Sequence, residues 1–153
     1  MTITSWVAAW TIDRRRRWQG VVLAGVLGVV GFSAIYGGVG LMRDGMGMPA
    51  EWVDRLPFGS WPLAGVALLV GVAAPQFAAC WLVLAGHPRA ALAAAAAGTV
   101  LVAWIVVQVL VLRRYFFLQP VIAGLGLVEV SLAWWWLRSA RTTMHRTPPL
   151  AVR

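Results

Sequence analysis

The sequence predicts an all-α, polytopic membrane protein. The expected architecture is a four-transmembrane-helix up-down bundle in one domain, with a short interfacial N-terminal helix and a short helix in the first outer loop. Three observations predict it. Of the 153 residues, 61% are hydrophobic and 12% charged, too little polar surface for a soluble domain of this size. The apolar residues gather into four stretches near the length of about 20 that a helix needs to cross a bilayer. The charges sit at the ends of those stretches rather than on one face, where the flanking charges of membrane spans belong. For the same reason the net charge of +8 is read as membrane topology and not as a nucleic-acid surface.

Residues 1–17 come first. Ile3, Trp6, Val7 and Trp10 fall at i, i+3, i+4 and i+7, on one helical face. Arg14, Arg15, Arg16 and Arg17 follow directly and suit anionic lipid headgroups. The expectation is an anchor on the membrane surface. The first span, 18–42, carries no charge. It is longer than a signal-peptide core and is followed by no clear small-residue cleavage site, so it reads as a retained helix. In the outer loop "GMPAEWVDRLPFGS", Pro49 can open a short helix and Pro57–Phe58–Gly59 can end it.

The second span, 61–85, contains Pro75, which removes one helical hydrogen bond and should kink the helix. Gln76 beside it is expected to satisfy the freed backbone groups. The third span, 90–112, opens on "ALAAAAAG", small enough for close helix approach. On the first span Gly20, Ala24 and Gly28 repeat every fourth residue and form the expected packing face. The fourth span, 120–137, is the shortest, and a tail of 138–153 follows.

Orientation comes from arginine. With the N-terminus in the cytoplasm, nine of the thirteen arginines lie on the inner side. Both termini are therefore expected inside, in a multi-pass protein of the inner (plasma) membrane. Trp18, Trp81 and Trp134 to Trp136 then mark the inner interface. Trp61, Tyr115, Phe116 and Phe117 mark the outer one.

One residue breaks the apolar pattern. Glu129 lies nine residues past Pro120, about 13 Å into the span and near the midplane. An acid there costs about 2.5–3.5 kcal/mol on insertion scales. The aliphatic residues of the span return roughly 2.4–4.8 kcal/mol, so the span is marginal alone and needs its neighbours. Gly126 and Ala133 share the Glu129 face and would let another helix approach. Ser33, Tyr36, Trp104 and Gln108 lie at outer-half depths on the first and third spans. With Glu129 they are the candidate lining of a ligand-binding or proton-carrying pocket. A carboxyl that only pins helix register is the competing reading.

No catalytic constellation is visible: the sequence holds no nucleophile–base pair, P-loop or zinc pattern. The single cysteine, Cys80, allows no internal disulfide and reads as a small buried residue. His87 and His145 lie at or beyond the inner surface, and Met42, Met46 and Met48 have no His or Cys beside them. No metal, cofactor or catalytic residue is expected.

"GMGMPAEWVDRLPFGSW" and "WIVVQVLVLRRYFFLQPVIAGLGL" are similar to a group of small four-helix integral membrane proteins of GC-rich bacteria. That resemblance covers about two-thirds of the chain and implies the fold but no activity. The architecture also resembles the small multidrug transporters. Those carry their membrane glutamate in the first helix, whereas here it is in the fourth, so their function is not carried over. The function expected is a non-enzymatic accessory or interaction subunit of a larger membrane complex, with room for a lipid or small hydrophobic ligand in the outer half. The alternative is a small proton-coupled transporter acting as a homo-oligomer through Glu129.

Overall fold

The computed structural model describes residues 3–56, 59–113 and 118–144, with the backbone alone for 3–16, 50, 112 and 139–144. The described chain is helical and contains no strand. Four helices are long and apolar enough to cross a membrane: Arg17–Gly47, Trp61–Leu84, Ala90–Val111 and Leu118–Arg138. The side chains of Arg14, Arg15 and Arg16, the belt Tyr115–Phe117, the loop residues Pro57 and Phe58, and the tail from 145 lie outside the described residues.

Helix α1 runs unbroken over Ile3–Asp44. The N-terminal segment is thus continuous with the first span and is not a separate short helix. Arginine is a good helix former, and no Gly or Pro interrupts the run between Asp13 and Trp18. The helix stops where Asp44 Oδ1 accepts the Met46 N–H at 2.9 Å and Gly45 turns to φ +65°. Gly45 packs so close to Trp61 that a Cβ would come within 2.9 Å of the indole. A six-residue 3-10 helix, Ala50–Arg55, follows Pro49.

The second span is one rod in three parts. Helix α2, Trp61–Leu68, leads into a π-helical turn, Leu69–Ala73, and then helix α3, Ala74–Leu84. Pro75 explains the turn. Its ring clashes with the carbonyl four residues back and it has no N–H to offer. The ladder widens instead, and the Ala74 N–H donates to the Leu69 carbonyl. α3 ends in a Schellman turn: the Gly86 N–H reaches the Val83 carbonyl and the His87 N–H reaches Leu82, with Gly86 at φ +65°. Helix α4 covers Ala90–Leu112 and helix α5 covers Leu118–Met144.

The rods form a square. α3 packs against α1 and α4, and α5 packs against the same two, so α3 and α5 stand at opposite corners. Two glycine crossings set the closest approaches. A Cβ on Gly65 would lie 2.5 Å from the Gly38 carbonyl oxygen, joining α2 to α1. A Cβ on Gly98 would lie 2.8 Å from the Gly126 carbonyl oxygen, joining α4 to α5. Small residues at a contact let backbones approach in lipid, where no hydrophobic force drives helices together. Gly25 and Gly28, by contrast, have open space where a Cβ would go, so Gly28 makes no close approach.

Two apolar clusters fill the interior. One gathers Leu23, Leu27, Ala79, Val83, Ala94, Ala97 and Ala133. The other gathers Val30, Ala34, Val72, Ala73 and Leu101, with Phe77, Trp104 and Leu125 against it.

Candidate functional site

The seam between these clusters holds the polar site. Gln76 lies between Ala73 of one cluster and Ala79 of the other. Glu129 lies between Leu125 and Ala133. Both are 0% exposed. The Gln76 Nε2 donates to Glu129 Oε2 at 2.9 Å. This bond crosses the diagonal of the square, tying the second span to the fourth through the centre of the bundle.

The chain prepares this contact at three points. The π-turn and Pro75 precede Gln76 directly, so the rod carries its one ladder defect beside its one buried amide. Gly98 makes room on α4: a Cβ there would meet the Glu129 Cβ at 2.9 Å. Alanines at 79, 94, 97 and 133 keep the surrounding volume small. The arrangement is one made bond and two open acceptors. Gln76 Oε1 and Glu129 Oε1 are buried, and neither has a hydrogen-bond partner. Orphaned buried oxygens are costly. A proton on the carboxyl would give the pair the one donor it needs, as in a two-bond acid–amide ring.

The sequence-derived partners of Glu129 fall elsewhere. Ser33 is exposed, and its hydroxyl donates to the Val29 carbonyl of its own helix at 2.8 Å. Thr99 and Ser131 do the same with Ala95 and Leu127, the usual way a lone hydroxyl is satisfied on a helix. Tyr36 is 76% exposed. Trp104 is half-buried and lies against Gly71 of the π-turn, and Gln108 is half-buried one turn further along α4. These residues do not gather around Glu129 into one outer-half pocket. Glu129 bonds instead to Gln76 on the second span.

Gln76 does not serve the backbone groups beside Pro75, as its place in the sequence suggests. The π-turn re-forms the ladder without it, which leaves its side chain free to face inward. Its depth carried the signal: Gln76 lies eight residues from the Leu84 end of its span, and Glu129 nine from the Arg138 end. Cys80 makes a weaker tie, with its thiol 3.4 Å from the Ala24 carbonyl of α1. Among the described residues, no three His, Cys, Asp or Glu side chains come together as a metal-holding group.

Comparison with protein-family models, with curated proteins and with solved structures returns no match.

Proposed function

We propose that this protein is a non-enzymatic subunit of a membrane complex, a compact four-span scaffold that presents its flanks to other membrane helices. The observation that supports this most is the closure of the Glu129 site. A carboxyl that carries protons for a substrate needs an opening to water or ligand. Glu129 is fully buried and bonded to Gln76 across the bundle. In this reading the pair sets the register of the second and fourth spans, a use of buried polar groups known from coiled coils. What remains for function is the outer surface. Only 17–39% of each span's most apolar stretch is buried within the chain, which leaves broad apolar flanks for lipid or partner helices.

The topology of this reading is up-down, in the inner (plasma) membrane, with both termini cytoplasmic. It is supported by the nine-to-four arginine split. Cysteine labelling at Ala50 should then occur from the outside only, and labelling from the cytoplasm would reverse the orientation.

Purification in mild detergent with partner identification tests the subunit reading. A stoichiometric hetero-complex that survives Glu129→Gln is expected. The second reading, a proton-coupled transporter, is favoured by the two open oxygens of the pair and by the π-turn beside it, a feature often found at functional sites. A homodimer whose ligand uptake is proton-linked and lost in Glu129→Gln would replace the first reading with the second.

A further inference from the structure

A cleft of about 500 Å³ opens where α1, α3, α4 and α5 meet at one end of the bundle. Its walls are of two kinds. Arg17, His87 and Trp136 provide polar and aromatic groups, and Val21, Val83 and Leu137 provide an apolar side. We propose that this cleft holds one anionic phospholipid, with the phosphate taken by Arg17 and His87 and an acyl chain laid along the apolar wall.

Charge complementarity supports the anion. Arg89 and Arg138 stand at the same end of the bundle as the cleft. Of the described acidic side chains, Asp44 ends α1 at the far end of the bundle, Glu51 and Asp54 follow in the loop there, and Glu129 is at mid-bundle. Asp13 lies one turn before Arg17, with its side chain outside the described residues. His87 is set up as a donor: its Nδ1 accepts the Arg89 N–H at 3.2 Å, which leaves Nε2 to carry the hydrogen. The first turn of α4, against the cleft, contains no acidic residue, so its positive helix end is not offset there.

The level of the cleft supports a lipid over a free phosphate. Trp18, Trp81, Trp134 and Trp135 are exposed around the same end, and tryptophans collect at headgroup depth. Basic pockets between membrane helices on one side of a bilayer are known headgroup sites. A free anion would have no use for the Val21–Val83–Leu137 wall. This cleft is separate from the Gln76–Glu129 pair, so it does not depend on the role given to that pair.

The test uses the full chain in mild detergent, with native mass spectrometry to count bound lipid. Phosphatidylglycerol should be retained at one per chain and phosphatidylcholine should be lost. Glycerol phosphate, the headgroup without chains, should not compete at matched concentration. Arg17→Gln with His87→Ala should weaken phosphatidylglycerol retention about tenfold or more, while Arg43→Gln at the other end should leave it unchanged. Arg17→Gln alone, checked for an unchanged melting curve, covers the case in which the double variant misfolds. Equal retention of both lipids, full competition by glycerol phosphate, or undiminished retention in the folded Arg17→Gln protein would overturn the proposal.

Discussion

The two glycine crossings are alike in backbone and unlike in surroundings. At Gly38–Gly65 the neighbours are apolar, Leu69 and Met42. At Gly98–Gly126 the same approach places α4 against the Glu129 Cβ, beside the buried pair with Gln76. The first crossing is packing alone. The second joins packing to polar pairing, because a methyl at Gly98 would press on both the Gly126 carbonyl and the acid. Close approach is thus a general device in this bundle, and its coupling to a buried acid is local to α4 and α5.

The largest expected effect comes from filling either crossing. Gly65→Val and Gly98→Val should each cost roughly 3 kcal/mol, the upper range of overpacking, read from unfolding in mixed detergent. They should then part company. In a Gly65→Val background, adding Gln76→Leu should cost its full amount. In a Gly98→Val background it should cost little, because Glu129 has already been displaced. Equal costs in both backgrounds would break the comparison.

Next in size is the pair itself. Gln76→Leu leaves the Glu129 carboxyl buried without its partner and should cost about 1–3 kcal/mol. Glu129→Gln should cost less than about 1 kcal/mol, since an amide–amide pair can make both bonds. A Glu129→Gln protein as unstable as Gln76→Leu would show that charge, and not hydrogen bonding, matters at the site.

The four spans and the inward face of Glu129 were legible in the sequence for simple reasons. Span length follows from bilayer thickness, and Gly126 and Ala133 left only one crowded side for α5 to present. The partner was not legible. Depth can be counted along a helix, but rotation is set by which faces pack. Ser33 and Tyr36 matched in depth and turned outward, because α1 packs through the opposite side, which carries Ala24 and Gly38, with Gly28 at its open edge. Gln76 was hidden by Pro75, whose need for repair was met by the π-turn. The continuity of α1 was missed because an amphipathic start followed by four arginines reads as an interfacial piece, although nothing in it ends a helix.

The smallest expected effect follows from that face. Gly28→Ala meets open space, so helix propensity should decide, and the variant should be neutral or up to about 1 kcal/mol more stable. A clear loss of stability in thermal melts would mean that Gly28 packs against a second chain.

The central claim is that Gln76 and Glu129 stabilise the bundle as a unit across its diagonal. A double-mutant cycle of Gln76→Leu, Glu129→Leu and the combined variant, with unfolding free energies measured in one detergent mixture, tests it most directly. The double variant should be less destabilised than the sum of the singles, by about 1 kcal/mol or more. Additive losses, with coupling near zero, would contradict it.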